Sequence, residues 1–286
     1  MSKCVAVAGA SGVLGMELIQ LLSQQSYRVR SIIRDPQKRD RVEPYSDEVR
    51  VADASHPDQL RGCLDGVDIV ITVIGKSVSL FTSEAPSFYD IDFVANLHLL
   101  HEAQQAKVPR FVYVSIFGSE TSPELRQGWM QERFSQVLMK SGLSYTVIKP
   151  VGFFSGLHDL IIMAKSGLLF TPGDGTPKTI PTHQRDLAKV CVDHLESGPE
   201  VLNVGGPEIH TRNEVAKQVC QMTRCKATLN IPKPFVKFGL GLVRLINRNL
   251  YDKLSFFTYI TTHDMVAPKF GSLTFENYLK EEVSKV

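Results

Sequence analysis

The stretch VAVAGASGVLGMELIQLL, residues 5–22, sets a short apolar run against three glycines, Gly9, Gly12 and Gly15, and then opens an apolar pattern of a different period. The first run reads as a buried strand, while Leu14, Leu18, Leu21 and Leu22 keep the spacing of one helical face. A strand that turns within a few residues into a helix is the start of a β-α-β unit. The alternation continues along the chain. Predicted strands span 4–8, 27–33, 49–52, 68–74, 110–115 and 145–148, and Ile91, Val94, Ala95 and Leu99 mark a second helical face. That order predicts an α/β fold, a doubly wound parallel sheet covered on both sides, whose ligand sits outside the carboxyl ends of the strands at the switch point.

The glycines give the turn its purpose. Gly9 permits a tight strand-to-helix reversal, Gly12 lets the backbone approach a pyrophosphate, and Gly15 lets the helix pack close to the sheet. The helix presents unpaired N–H groups and the positive end of its dipole, so Gly9, Ser11, Gly12, Val13, Leu14 and Gly15 are expected to hold a dinucleotide. An NAD-type site carries an acid about 20 residues further on. This chain has Arg34 there, with Arg30 and Lys38 close by. Arginine suits a 2′-phosphate and points to NADP, while Asp35 keeps NAD open. Asp53, just past the third strand and followed by Ala54, is placed either to accept from the adenine amino group or to cap its own turn.

Composition removes other classes. With 286 residues, 43% of them hydrophobic, the chain can bury one large domain or a domain with a subdomain. Its 32 basic and 30 acidic residues are mixed without a Lys/Arg block, so nucleic acid is not the implied partner. No apolar stretch approaches the ~18 residues of a spanning helix, and the chain enters a strand almost at once, so neither a membrane span nor a cleaved leader is expected. Cys4, Cys63, Cys191, Cys220 and Cys225 form no CxxC pair and read as reduced thiols of a cytoplasmic protein. The histidines are dispersed, which predicts no metal site.

Further segments follow in a specific order: VRSIIRDPQK, VADASHP, DIVITVIG and RFVYVSIFGSE, then SGLSYTVIKPVGFFSGL, TIPTHQRDLAKVCVDHL and VLNVGGPEIHTRNEVAK. Together with the GxxGxxG spacing they resemble the NmrA-like group of atypical short-chain dehydrogenase/reductases, over about residues 3–220. The resemblance implies a Rossmann NAD(P)-binding domain over 1–150 and a smaller substrate-side lobe over 151–286, interleaved with the main sheet. It also implies that Ile74, Gly75 and Lys76 pass the middle of the cofactor, that Ser115 ends the fifth strand at the nicotinamide, and that Pro150 and Phe153 border the nicotinamide and the substrate pocket.

The family pairs a tyrosine proton donor with a lysine four residues on, whose charge lowers the tyrosine pKa and grips the nicotinamide ribose. Counted back from the SGL at Ser141, that lysine falls on Gln131 and the tyrosine on Gln127. Glutamine can bond a ribose hydroxyl, but it carries no charge and is no general acid. Ser115, Gln131 and His183 stand as catalytic candidates, and Tyr145, His158 and Lys149 lie in segments that the resemblance puts on the substrate side. His183 has a competing reading as the residue that opens a helix, and Tyr145 as a sheet-face residue. Phe117, Phe153 and Phe154 read either as pocket wall or as plain core.

From 231 to 259 large apolar residues mix with Lys233, Lys237, Arg244, Arg248 and Lys253 and a single acid, Asp252. Such a stretch suits an anionic membrane surface, a protein partner or a cover over the substrate lobe, and Gly239 and Gly241 speak against one long helix. Two functions fit the sequence. One is an NADP(H)-dependent oxidoreductase on a small apolar or ring-bearing substrate, working as a monomer or homodimer. The other is a non-catalytic NAD(P)-binding redox sensor or complex-assembly factor, like the group's photosystem II assembly members.

Overall fold

The computed structural model describes residues 2–82, 85–121 and 125–284. Its strands are β1 (Cys4–Ala8), β2 (Arg28–Ile33), β3 (Glu48–Val51), β4 (Ile69–Thr72), β5 (Arg110–Val114), β6 (Ser144–Pro150), β7 (Leu168–Pro172), β8 (Lys178–Thr179), β9 (Val201–Val204), β10 (His210–Thr211) and β11 (Ala227–Ile231). Seven form one parallel sheet in the order β3-β2-β1-β4-β5-β6-β9, and the others pair as β7 with β11 and β8 with β10. The doubly wound α/β sheet is the observed fold, with strand ends displaced by a residue or two from the predicted ones.

Residue parity along β1 shows how the sheet is covered twice. Cys4, Ala6 and Ala8 face a core with Leu99, Phe134 and Leu138 of the helices Asn96–Gln105 and Arg126–Met139. Val5 and Val7 face the other core, with Leu14, Leu18 and Leu22 of the helix Val13–Ser23 and Leu187 and Val190 of the helix Gln184–Asp193. A strand buried on both faces does not alternate apolar with polar, which is why CVAVA is apolar throughout. A third core joins Phe154, Leu169, Val219, Phe275 and Leu279. The later chain also returns to the sheet. β9 pairs with β6, the Gly205 N–H donates to the Pro268 carbonyl at 2.8 Å, and Asp186 accepts from the Ser272 and Leu273 N–H groups at 2.8 Å each.

Three local expectations change. The second helical face does not run through Ile91, which lines the groove side, because Tyr89–Ala95 winds as a π-helix before Asn96–Gln105 and the wider turn brings Asp92, Phe93, Ala95 and Asn96 inward, with Val94 packed against the same core as Ala95 and Leu99. Cys220 and Cys225 are not reduced thiols: the turn ending the helix Arg212–Thr223 brings them together as a disulfide, with Cα atoms 4.8 Å apart, while Cys4, Cys63 and Cys191 are free and buried. In 231–259 the break falls at Asn247, not at the glycines. The Asn247 side chain accepts from the Leu250 N–H and starts the helix Arg248–Thr262, while Gly239 and Gly241 lie inside the preceding helix Lys233–Ile246.

Candidate functional site

The strand order reverses between β1 and β4, and there the carboxyl ends of β1–β4 frame a groove of about 470 Å³. It is lined by Gly9, Ser11 and Gly12 after β1, Arg34 and Asp35 after β2, Asp53 and Ala54 after β3, and Ile74, Gly75 and Lys76 after β4. Local stereochemistry builds the turn. Gly9 has φ +86°, the left-handed region that glycine enters at little cost, and its N–H donates to the Ile32 carbonyl. A Cβ at Gly15 would lie 2.2 Å from the Gly9 carbonyl oxygen, so the helix lies against the loop only without a side chain. Gly12 differs. Its φ of −77° and ψ of 172° suit any residue, and a Cβ would meet only the Gly9 carbonyl oxygen, at 3.2 Å.

Gly12 also caps the helix Val13–Ser23 without a side-chain hydrogen bond, and the first intrahelical bond runs from the Met16 N–H to the Gly12 carbonyl. The N–H groups of Val13, Leu14 and Gly15 therefore have no intrahelical acceptor. The Val13 side chain is exposed and Leu14 is buried in the core, and Val13, Leu14 and Gly15 are not among the residues lining the groove.

Arg34 is exposed at the end of β2, with Lys38 further along the same rim. Burial raises the Asp53 carboxyl, but bonds from the Ser55 N–H and hydroxyl to Oδ1, at 2.9 and 2.7 Å, and the Arg34 charge outweigh it and hold the group below the usual range. Oδ1 of Asp53 thus caps its own turn. Asp35 likewise accepts from the Gln37 N–H at 3.0 Å. Arg30 does not belong to this rim. It is buried, with Nε 2.6 Å from Glu48 and Nη1 donating to the Cys63 and Asp65 carbonyls at 3.0 and 2.8 Å.

Behind Ile74–Lys76 lies a buried polar network absent from the sequence reading. Asp92 is wholly buried. Its Oδ1 accepts from Gln131 Nε2 at 2.8 Å and from the Lys76 N–H at 3.4 Å, and its Oδ2 has no hydrogen-bond partner among the described residues. Ser115, just past β5, donates its hydroxyl to Gln131 Oε1 at 3.4 Å. Gln131, standing where the family's lysine falls, is thus turned inward onto Asp92 and Ser115. Burial pushes the Asp92 carboxyl up to about 7, with the bonds from Gln131 and Lys76 offsetting only part of it. Burial first, and then Asp92, also push the Tyr113 hydroxyl well up.

This carboxyl has a folded-state pKa above its unfolded value of 3.8, so its contribution to stability is fully present below that value and is lost as pH rises through about 7. Asp92→Asn is expected to melt higher than the wild type above pH 7 and to converge with it towards pH 4, each pH unit between adding at most about 1.4 kcal/mol to the difference. Thermal melts across that range check this, and a constant offset between the two proteins would refute it.

Lys149 does not reach the groove. A buried cation needs counter-charges, and its ammonium donates to Glu120 Oε2 at 2.8 Å and Glu132 Oε2 at 2.9 Å, while Glu132 also accepts from the Ser119 hydroxyl at 2.9 Å. His183 is the N-cap of the helix Gln184–Asp193, with Nδ1 accepting from the Arg185 N–H at 3.1 Å. Burial, and then Arg185, lower its pKa, which favours the neutral ring. Phe154 is core, packed on Phe275 and Tyr278, rather than pocket wall. Tyr145 packs on the sheet core, and His158 lies 4.0 Å from Glu282. The Pro150 carbonyl accepts from the Phe117 N–H at 2.9 Å, Phe117 packs beside Val151 and Met265, and Phe153 packs beside the sheet. Ser115, Gln131, Pro150 and Phe153 are not among the residues lining the groove. The Gln127 side chain lies outside the described residues.

An uncapped helix N-terminus at the switch point of a doubly wound sheet, a backbone cradle that a Cβ at Gly12 would enter, and a cation beyond β2 together fit a dinucleotide carrying phosphates. This defines a Rossmann protein for NAD(P). The profile of the NAD(P)H-binding family matches residues 9–198, and the chain belongs to that family. It is 29% identical over 153 residues to the photosystem II assembly factor Ycf39 of Cyanophora paradoxa, a stretch covering 54% of this chain and 46% of that protein. With the Ycf39 of Trieres chinensis the match is 24% over 288 residues, 95% of this chain and 85% of that one. The divinyl chlorophyllide a 8-vinyl-reductase of Cucumis sativus is 26% identical over 221 residues, 71% of this chain and 52% of that one. Among solved structures, the NADPH complex of the NADPH-dependent quinone oxidoreductase QOR2 of Escherichia coli shares the fold, with TM-score 0.73 and 18% identity over 98% of this chain and 99% of that one.

Proposed function

We propose that this chain is an NADP(H)-dependent reductase of a small apolar, ring-bearing compound. The observation that carries the cofactor half is the groove, with its open helix N-terminus and with Arg34 and Lys38 on the rim where an NAD-type site has an acid. In this reading the backbone of Gly9, Ser11 and Gly12 through Gly15 cradles the diphosphate. Arg34 and Lys38 take the 2′-phosphate, Asp53 and Ala54 lie beside the adenine, and Ile74, Gly75 and Lys76 follow the middle of the cofactor. Ser115, Gln131, Pro150 and Phe153 stand at the nicotinamide end. The bound dinucleotide supplies hydride to a C=O or C=C. The protein's share is placement: Asp92 keeps the Gln131 amide fixed, and a proton stays on the Asp92 carboxyl to near neutrality. Support for the substrate class comes from a vinyl-reductase among the relatives and a quinone oxidoreductase among the fold neighbours.

A second reading, a non-catalytic NAD(P)-binding sensor or assembly factor, is favoured by Gln127 and Gln131 in place of the Tyr–Lys pair and by the Trieres relative that spans 95% of the chain. In both readings the exposed side of 231–259 is taken as the face that meets a partner. A charge-assisted contact contributes about 1.5–3 kcal/mol, so the wild type is expected to bind NADPH roughly 10- to 150-fold tighter than NADH, and Arg34→Ala to lose that preference. Calorimetric titration of both cofactors into both proteins decides it, and equal affinities throughout would sink the NADP assignment. NADPH consumption across a panel of quinones and other conjugated ring compounds then separates the readings. Reproducible turnover makes the chain an enzyme, whereas silence with tight NADPH binding favours the sensor or assembly role.

A further inference from the structure

The helix Lys233–Ile246 has no buried residue. Phe235, Phe238, Leu242, Leu245 and Ile246 recur at helical spacing along one stripe and are between 50% and 86% exposed. Elsewhere large exposed apolar residues stand at less regular spacing, and single ones need no explanation. Five along one helix do, because a soluble monomer rarely leaves a contiguous apolar patch to water without a use for it. The same segment is basic: Lys233, Lys237, Arg244 and Arg248 are exposed, and no acidic residue occurs between Lys233 and Tyr251.

We propose that Lys233–Ile246 is an interfacial helix that seats this protein on an anionic lipid bilayer, its apolar stripe at the boundary of acyl chains and headgroups. Charge complementarity selects this occupant, since the segment offers cations and no carboxylate to a surface whose fixed charges are phosphates. Its shape agrees. No residue of the helix is buried and the five side chains are open to the outside, which a deformable lipid layer can accept without a matching groove. The helix lies on the bilayer and does not cross it: 14 residues extend about 21 Å, against a hydrocarbon core of about 30 Å, and no described helix is long and apolar enough to span.

The seat is joined to the groove. The helix Arg248–Thr262 packs against Lys233–Ile246 and carries Lys253, whose wholly buried ammonium donates to the Ser79 and Thr82 carbonyls at 3.0 and 2.8 Å. Thr82 lines the groove. A protein seated in this way would hold one lip of its cofactor groove by the same helix pair that touches lipid. The inference stands whether or not the chain is catalytic.

The test is flotation of the full chain with vesicles of phosphatidylcholine alone and of phosphatidylcholine mixed with phosphatidylglycerol, at low and high salt. The wild type is expected to float with the mixed vesicles, much less with the neutral ones, and less at high salt. Leu245→Glu with Ile246→Glu, both on the exposed stripe, is expected to abolish flotation while circular dichroism and NADPH affinity stay unchanged. Lys237→Gln with Arg244→Gln is expected to lose about fivefold per cation on the mixed vesicles only. A folded wild type that ignores the mixed vesicles overturns the proposal. So does a dimer, seen by light scattering, that the Glu variants dissolve without any vesicle binding in the wild type, because the stripe would then be covered by a second copy.

Discussion

Gly12→Val is expected to abolish dinucleotide binding in a protein that still folds. The backbone at Gly12 is extended and open to any residue, and the only atom a Cβ would crowd is the Gly9 carbonyl oxygen at 3.2 Å, so the turn can accept the change with a small adjustment. The two branches of valine then occupy the approach to the first-turn N–H groups, where a phosphate would have to come within hydrogen-bond distance. We expect NADPH affinity to fall more than about 100-fold, close to 3 kcal/mol, with a melting temperature near that of the wild type. Calorimetry and a thermal melt on the same sample check both halves. Unchanged affinity would mean that the phosphates lie elsewhere. Gly15→Val is the contrasting case, because its Cβ would overlap the Gly9 carbonyl and the loss would appear as unfolding.

Lys149→Ala is expected to be strongly destabilising while leaving NADPH affinity intact. The Lys149 ammonium is nearly sequestered, as is the Glu132 carboxylate, whereas the Glu120 side chain is about half exposed. Removing the cation strands the Glu132 charge beside the Ser119 hydroxyl and a longer contact from Gln136, and most of the cost comes from this carboxylate rather than from Glu120. Breaking a buried pair in this way costs about 3–5 kcal/mol. Lys149→Met combined with Glu132→Gln should recover much of it, since neither replacement leaves a buried charge. Urea unfolding at neutral pH measures the difference. A stable Lys149→Ala protein with weakened NADPH binding would instead place this lysine at the cofactor.

The turn and the strand order were legible in the sequence because both are local. Gly9 and Gly15 answer to stereochemistry within a few residues of themselves, and CVAVA is apolar throughout because both of its faces are covered. Arg34 was equally readable, as the first side chain past β2. The interior of the candidate site was not. Helical periodicity assumes a constant turn, and the π-helix Tyr89–Ala95 breaks that assumption at the residue that matters, carrying Asp92 inward and leaving Ile91 on the groove. The available signal was polar residues, Asp92 and Asn96, at helix-face spacing among apolar neighbours. Lys149 misled for a different reason. Its partners Glu120 and Glu132 lie on the turn Ser119–Thr121 and the helix Arg126–Met139, and only the packing of that turn on the helix and of the helix against β6 brings them to one point. The 231–259 segment showed its composition but not its orientation, because periodicity says which residues share a face and not whether that face looks in or out.

The pairing of β9 with β6 has a consequence for how the molecule comes into being. Val201 leaves the ribosome well after Pro150, so the newly made sheet waits with one side of β6 unpaired while β7, β8 and the intervening helices are synthesised. An unpaired strand edge is a template for any other extended chain, and a nascent protein carrying one is prone to wrong pairing until its own strand arrives. The edge is closed by a four-residue strand, Val201–Val204, that is made late and carries Val204 into the core shared with Val5 and Val7.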